Sequence, residues 1–372
     1  MRLKVYSIVL ILAIGFSLGC SQQQNKKKTD EDIRSDNKEK VENVILFIGD
    51  GMGVSQIYAG MTVSKEPLIF EKFRHIGFQK TYSASDYTTD SGASGTALAT
   101  GQKTKNGRIG VDPEGKELTS ILKIAEKNGL STGLISTSAI VHATPAAFIA
   151  NNKDRHEYND LAHDFLKTDI DVFIGGGRKF FENRDDGMNL VDSLKNNGYQ
   201  VAYKMDQIKN VKKGKLAGLT AEKHNPKYAE GRGDMLPVST ATAIDILDNN
   251  TKGFFLMVES SQIDWGGHDN DSEYIVNELL DFNNAVKKGM EYAKKHKNTL
   301  VIVTADHECG GMTLNNGSIE NHTIEPKFTT DGHTGVMVPV FAFCPGAEEF
   351  MGIYDNTDIF KKLNKLYGFK KN

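Results

Sequence analysis

Seven carboxylate and histidine side chains stand at or shortly after the ends of apolar, strand-like segments. In chain order they are Asp50, Glu259, Asp264, His268, Asp306, His307 and His333, the last of which is predicted to lie in the glycine-rich loop 331–335. One acidic residue in such a place is more often a turn former or a helix cap than a ligand. Three histidines and four carboxylates together, however, supply the imidazole and carboxylate ligands of a multi-zinc site. Asp264 and His268 are four positions apart, so a turn of helix would place both on one face.

The segment 89–97 offers a nucleophile for such a site. It is rich in hydroxyl-bearing and small residues and can begin a helix. A helix N-terminus presents free N–H groups and the positive end of the helix dipole, both suited to a phosphate. Ser91, beside a divalent cation, could lose its proton and attack phosphorus. From this segment alone, a capping serine in a closely packed helix is the simpler interpretation.

These side chains require a framework that brings several strand ends together. From residue 43 onward, apolar runs of strand length alternate with helical patterns. The predicted strands are 44–48, 134–137, 171–174, 254–258, 300–304 and 338–343, and the predicted helices are 117–127, 187–196, 240–247, 271–295 and 355–366. Strands that are apolar on both faces predict an α/β fold with a doubly wound, mostly parallel central sheet and helices on both faces. In such sheets, ligands bind at the carboxyl ends of the strands.

The composition fits one large globular domain and excludes several other classes. The chain has 372 residues, of which 39% are hydrophobic and 25% charged, unlike collagen-like, coiled-coil or wholly disordered chains. The net charge of −3 gives no sign of the basic stripe of a nucleic-acid-binding protein. Neither a repeat nor a second linker follows residue 43, so we predict one catalytic domain over residues 43–372.

The first 42 residues are predicted to lie outside that domain. Residues 1–19 combine a positive start with an apolar run that is too short to span a bilayer, which is typical of an export signal. Cys20 follows a small residue, like the acylated cysteine of a bacterial lipoprotein; an ordinary signal peptide with an incidental cysteine is the alternative. Residues 20–42 have almost no apolar side chain and predict a disordered tether. We therefore expect an exported protein, periplasmic or anchored to the outer membrane by an N-terminal lipid only.

Six short motifs together resemble the bacterial and animal alkaline phosphatases. They are Phe47–Gly53, Thr89–Ser94, His142–Pro145, Val258–Glu259 with Asp264 and His268, Thr304–His307, and His333–Gly335. Each motif is short, but six in the family's order, spread over residues 44–335, are highly specific. The resemblance implies an enzyme that hydrolyses small phosphate monoesters to an alcohol and inorganic phosphate. It also implies a homodimer, for which no sequence feature gives separate support.

The resemblance further implies two zinc ions, one magnesium ion and the residues that hold them. The ligands would be Asp264, His268 and His333 for the first zinc, Asp50, Asp306 and His307 for the second, and Asp50, Thr144 and Glu259 for magnesium.

Five further positions acquire a role or a question from the resemblance. Ser91 would be the nucleophile and form a phosphoserine, and Arg155 would bind the phosphate. His142 stands where some bacterial members have aspartate, which leaves the identity of the third metal open. Trp265 replaces a lysine or histidine beside the zinc ligand, and Gly92 replaces the commoner alanine after the nucleophile.

Other functions on related scaffolds are less well supported. Sulfatases need a proline and an arginine after the nucleophile, which Ser91 lacks, and phosphodiesterase relatives usually have threonine there. A phosphate-transferring mutase would be cytoplasmic, which the export signal opposes. A surface-anchored binding protein with an inactive site is the alternative from another class. The pairing of Cys309 with Cys344 is left open. The histidines that match no motif are expected to have surface or capping roles; they are His75, His156, His163, His224, His296 and His322.

Overall fold

The computed structural model describes residues 40–184 and 186–369, all within one compact unit. The predicted signal peptide, Cys20 and nearly all of the predicted tether lie outside the described residues. Among the helices of the described ranges, none is long and apolar enough to cross a bilayer.

The strands divide into a large central sheet and two small two-stranded sheets. In chain order they are β1 (Asn43–Gly49), β2 (His75–Lys80), β3 (Ser131–Ala139), β4 (Val172–Gly176), β5 (Gln200–Ala202), β6 (Leu216–Leu219), β7 (Phe254–Ser260), β8 (Thr299–Thr304), β9 (Glu308–Cys309), β10 (Thr313–Ser318), β11 (Thr323–Lys327), β12 (His333–Thr334), β13 (Val338–Phe343) and β14 (Gly352–Asp355). The central sheet has the order β14-β2-β13-β8-β1-β7-β3-β4-β6-β5. All its neighbours pair in parallel except that β13 runs antiparallel to both β2 and β8.

Helices cover both faces of this sheet. They are α1 (Val54–Val63), α2 (Ser91–Thr100), α3 (Ile121–Lys127), α4 (Ala143–Ile149), α5 (Tyr158–Asp164), α6 (Lys179–Glu182), α7 (Leu190–Asn196), α8 (Met205–Ile208), α9 (Met235–Leu247), α10 (Gln262–His268), α11 (Ser272–Lys295) and α12 (Thr357–Tyr367). The alternation of side chains along β1 separates two cores, with Leu46 in the core shared with α2, α3 and α4. Phe47 lies in the core shared with α1, α9 and α11. The predicted doubly wound, mostly parallel sheet is thereby confirmed.

The predicted elements are found, with shifted ends that have local causes. The predicted helix 117–127 begins only at Ile121, because the Ser120 hydroxyl caps it by accepting a hydrogen bond from the Lys123 N–H. The predicted helix 240–247 begins five residues earlier, at Met235. Pro237 lies in the first turn of this helix. Proline is tolerated there because the first N–H groups of a helix have no intrahelical partner.

The longest helix, α11, is fixed to the sheet by aromatic packing. The Phe282 side chain is fully buried, and its ring lies 6.1 Å from that of Phe47 in an edge-to-face arrangement. Phe70 completes the group at 6.3 Å from Phe282. Because β1 ends at the candidate site, this packing also fixes the site's position.

We therefore expect Phe282→Ala to lower the free energy of unfolding by about 3–5 kcal/mol, through lost burial and the cavity left behind. Lys287→Ala, at an exposed position of the same helix, serves as the control and should change it by less than about 0.5 kcal/mol. Denaturant unfolding followed by circular dichroism measures both. Equal effects of the two substitutions would show that this packing does not anchor α11.

Candidate active site

The strand order brings the predicted chemistry to one edge of the sheet. The neighbouring strands β8, β1, β7 and β3 run parallel and in register, with Ile48 of β1 opposite both Glu259 and Thr304. Asp50 directly follows β1, and Asp306 comes two residues after the end of β8. Carboxylates that are hundreds of residues apart in the chain therefore meet at the carboxyl ends of adjacent strands, as the sequence predicted.

Asp50, Asp306 and His307 form a first fully buried group. His307 Nε2 lies 3.1 Å from Asp306 Oδ2 and 3.4 Å from Asp50 Oδ1. The other carboxylate oxygen of Asp306 accepts hydrogen bonds from the backbone N–H groups of Gly51 and His307. These bonds orient the carboxylate and leave Oδ2 directed at the group.

Asp264, His268 and His333 form a second group. His268 Nε2 lies 3.2 Å from His333 Nε2, and the two rings face different oxygens of the Asp264 carboxylate at 3.4 and 3.3 Å. Asp264 and His268 lie on one face of α10, which confirms the helical turn inferred from their spacing. The prediction that His333 lies in a glycine-rich loop is wrong, because it belongs to β12, which pairs with β9.

The two groups touch each other. The His307 and His333 rings are stacked with their centroids 3.6 Å apart. The two groups can meet because the backbone at Gly51 packs directly against that of Asp264. At Gly51 φ is +75°, and a Cβ atom would lie 2.6 Å from the Asp264 Cα. A side chain at this position is excluded, so glycine is required for the contact between the strand end and α10.

Ser91 is the first residue of α2 and lies against the first group. Its Oγ is 3.3 Å from His307 Nε2, and its side chain is buried. Asp90 caps the helix by accepting a hydrogen bond from the Ala93 N–H at 2.9 Å. The second carboxylate oxygen of Asp90 accepts a hydrogen bond from the Arg155 guanidinium at 2.8 Å. The helix N-terminus and a largely buried cation therefore lie beside the predicted nucleophile.

Glu259 and Thr144 form a third, less complete group. Glu259 Oε2 accepts hydrogen bonds from the hydroxyls of Ser136 and Ser261, at 2.6 and 2.7 Å. Thr144 lies beside the same carboxylate at the start of α4, where His142 is the residue preceding the helix. Two predicted magnesium ligands are thus close together, and the charge of Glu259 acts on Asp50.

Burial of so many carboxylates changes their ionisation. Burial, together with the charges of Asp306, Asp264 and Glu259, raises the pKa of Asp50 well above its usual value. Burial also raises the pKa of Glu259 to about 7. Burial acts to raise the pKa of Asp264, but the contacts with His268 and His333 outweigh it and hold that pKa well below the usual range. The same contact raises the pKa of His268 to about 9. Repulsion among the carboxylates is therefore only partly offset by protein groups.

Unpaired polar atoms make this place a candidate cation site. Both oxygens of Asp50, one oxygen each of Glu259, Asp264 and Asp306, and the Thr144 hydroxyl are buried without a hydrogen-bond partner among the described residues. Buried polar atoms are rarely left unsatisfied, and these converge on one place.

The histidines also fit metal ligation. His268 Nδ1 and His333 Nδ1 each face a backbone carbonyl oxygen, those of Asp331 and Thr89 at 2.6 and 2.9 Å, which leaves both Nε2 atoms for the centre of the group. Metal-binding histidines usually have their second nitrogen held in this way. The residues present therefore fit divalent cations.

Sequence reasoning missed two residues at this site, Cys309 and His224. Cys309 lies with the Asp264 group, while Cys344 directs its sulfur at the Ala293 carbonyl oxygen, so the two cysteines form no disulfide. His224, expected to have a surface or capping role, accepts a hydrogen bond from the Ala139 N–H and packs edge-on to Trp265 at 4.9 Å. No sequence motif marked these contacts, because each depends on segments distant in the chain.

Other histidines lie apart from these groups, as expected. His322 has a positive φ of 55° and lies 3.2 Å from the Thr62 carbonyl oxygen through its Nδ1. It belongs to neither metal-ligand group among the described residues.

Comparison with known proteins supports the resemblance to the alkaline phosphatases. Residues 41–327 match the family model described as alkaline phosphatase. Alkaline phosphatase 4 of Bacillus subtilis is 35% identical, over 97% of this chain and 96% of that protein. The Escherichia coli alkaline phosphatase is 31% identical, over 88% of this chain and 86% of its own length.

Solved structures of alkaline phosphatases have the same fold as this chain. The alkaline phosphatase from the Antarctic bacterium TAB5 is 38% identical and superimposes with a TM-score of 0.86, covering 90% of this chain and all of that chain. A histidine-to-aspartate variant of that enzyme, with the same 38% identity and coverage and a TM-score of 0.85, has magnesium bound in its M3 site. The chain therefore belongs to the alkaline phosphatase family and is a phosphomonoesterase.

Proposed function

We propose that this enzyme hydrolyses phosphate monoesters through a phosphoserine on Ser91, with two zinc ions and one magnesium ion in the adjoining groups. The observation that carries the proposal is the position of the Ser91 hydroxyl. It lies at the N-terminus of α2, 3.3 Å from His307 Nε2 and so at the border of a buried group of unpaired ligand atoms.

The metals are assigned by donor chemistry. The Asp264 group and the Asp50 group would each hold one zinc, because imidazole nitrogen and carboxylate oxygen are common zinc ligands. Glu259, Thr144 and Asp50 offer the oxygen ligands that magnesium prefers. Four carboxylates contribute −4 and three divalent ions +6, so the loaded site has a net charge of +2, which suits a phosphate dianion.

The third metal position is bordered by His142 instead of a carboxylate. Burial lowers the pKa of His142 to about 3, and its Nδ1 has no hydrogen-bond partner among the described residues. The TAB5 enzyme holds magnesium in its M3 site when a histidine is changed to aspartate. We infer that His142 weakens magnesium binding here and leaves the position available to another divalent ion.

The chain's own residues position the substrate and the nucleophile. The first N–H groups of α2 and the planar guanidinium of Arg155 face the phosphate oxygens, and the Arg155 fork can bind two of them together. Asp90 holds Arg155 in place through the 2.8 Å hydrogen bond. The bound cations supply Lewis-acid polarisation and charge compensation for an in-line displacement.

The reaction proceeds in two displacements at phosphorus. The Ser91 hydroxyl loses its proton, its oxygen forms a bond to phosphorus, and the ester P–O bond breaks. The departing alkoxide takes up a proton and leaves as the alcohol. Water then attacks phosphorus on the side opposite the Ser91 oxygen. Its oxygen bonds to phosphorus, the Ser91 Oγ–P bond breaks, and a proton lost by the water restores the serine hydroxyl as inorganic phosphate is released.

Export and lipid anchoring complete the proposal. We infer that residues 1–19 direct export and that Cys20 carries the lipid, with the polar stretch up to residue 42 as the tether. The substrates are accordingly small phosphate monoesters outside the cytoplasm. A homodimer is proposed from the family resemblance alone.

Removal of metal should abolish turnover. We expect hydrolysis of a chromogenic phosphate monoester to fall to background after treatment with a chelator and to return when zinc and magnesium are added back. The same assay with a phosphodiester and a sulfate ester should give much lower turnover. Full activity in metal-free protein, or a preference for the diester, would contradict the proposal, as would absence of turnover in zinc-loaded protein.

Ser91→Ala should eliminate the covalent intermediate. We expect wild-type protein, incubated with labelled phosphate and quenched in acid, to retain label on Ser91, and the variant to retain none. Zinc content should stay close to that of wild type, because the serine hydroxyl is not among the assigned metal ligands. Label on another residue of the variant would place the nucleophile elsewhere.

Cys20→Ser should prevent lipid attachment without loss of enzyme activity. In a bacterial host fed a labelled fatty acid, we expect label on the wild-type protein and none on the variant. The variant should appear in the soluble extracytoplasmic fraction with unchanged activity. A wild-type protein that takes up no label would show that the segment is an ordinary signal peptide.

A further inference from the structure

We propose that the thiol of Cys309 is a positioning group for the metal site, where it donates a hydrogen bond to the Asp264 carboxylate and holds that ligand in its binding orientation. The inference rests on the proposed zinc site formed by Asp264, His268 and His333. It gives a role to a buried sulfur that the mechanism above does not use.

The position of Cys309 is set by strand pairing. Cys309 belongs to β9, whose partner β12 places His333 directly opposite it. The cysteine is fully buried, and its sulfur lies within 4.8 Å of a ligand atom of each of Asp264, His268 and His333. Sulfur is thus directed at the metal group and not at the hydrophobic core.

The surrounding backbone leaves Cys309 little freedom to move. Its N–H donates to the Gly51 carbonyl oxygen at 3.2 Å, and its carbonyl oxygen accepts from the Gln56 side chain at 2.8 Å. Gly267, the residue before the ligand His268, gives it room, because a Cβ atom there would lie 2.8 Å from the Cys309 Cβ. The contact between β9 and α10 is therefore close and rigid.

The geometry favours a hydrogen bond to the ligand over direct metal binding by sulfur. The His268 side chain is 42% exposed, so the Asp264 group opens to solvent on that side, whereas Cys309 lies on the closed side. A hydrolytic zinc site keeps three protein ligands and one open position for water or substrate. Protein groups that hydrogen-bond to a metal ligand orient that ligand, and removing such a group typically lowers metal affinity about 10–100-fold.

Two substitutions separate a hydrogen-bonding role from simple space filling. Cys309→Ser and Cys309→Ala are both smaller than cysteine, but only serine keeps a donor. We expect Cys309→Ala to bind zinc about 10–100-fold more weakly in competition with a chromophoric chelator, and Cys309→Ser to bind it nearly as tightly as wild type. Cys344→Ser, at the other described cysteine, is the matched control and should leave zinc affinity unchanged. Equal losses for serine and alanine would overturn the proposal.

The S–H stretching band in the infrared spectrum tests the same contact in the wild-type protein and does not depend on the folding of Cys309→Ala. In zinc-loaded protein, the band that disappears in Cys309→Ser should be present and shifted to low frequency, as for a thiol that donates to a carboxylate. Absence of that band would show a metal-bound thiolate and contradict the donor role. Failure of the wild type to bind zinc would instead refute the proposed function, so the two failures are distinguishable.

Discussion

Four carboxyl groups buried at one edge of a sheet are the constraint on which this structure depends. Asp50, Glu259, Asp264 and Asp306 are each at most 5% exposed, and the charges of the other three act on Asp50. Burial of unpaired charge is strongly unfavourable, which is why the pKa values of Asp50 and Glu259 are raised. Divalent cations convert this electrostatic cost into binding energy. The site therefore couples metal affinity to the integrity of the fold.

The central sheet makes this concentration of charge geometrically possible. Parallel strands in register bring their carboxyl ends to one edge, and each adjacent strand delivers one or two ligands there. Turns that follow the strands are tightly packed, with Gly51 against the backbone of α10. The nucleophile is held separately, on the first turn of α2, and its neighbour Asp90 joins the helix to Arg155. The proposed metal ligands, nucleophile and phosphate-binding cation thus belong to different elements that meet at one point.

Sequence patterns predicted much of this arrangement. The continuous apolar runs identified β1, β7 and β8, whose ends carry the carboxylates, and the four-residue spacing correctly placed Asp264 and His268 on a helix. The short strands β9 and β12 gave no periodic signal, since a two-residue strand is defined only by its partner. His333 was therefore assigned to a loop.

The missed residues share that physical cause. Cys309 approaches the site through its pairing with β12, and His224 through a hydrogen bond to Ala139, 85 residues away in the chain. Contacts of this kind depend on how distant segments meet, and no local pattern of residue types encodes them. Family resemblance predicted the ligands, but only the folded chain shows which residues pack beside them.

Anomalous X-ray diffraction at the zinc edge, from crystals of the metal-loaded enzyme, tests the central claim most directly. We expect two strong zinc peaks, one among Asp50, Asp306 and His307 beside the Ser91 hydroxyl, and one among Asp264, His268 and His333. The absence of an anomalous peak from both groups, in crystals grown with excess zinc, would contradict the claim.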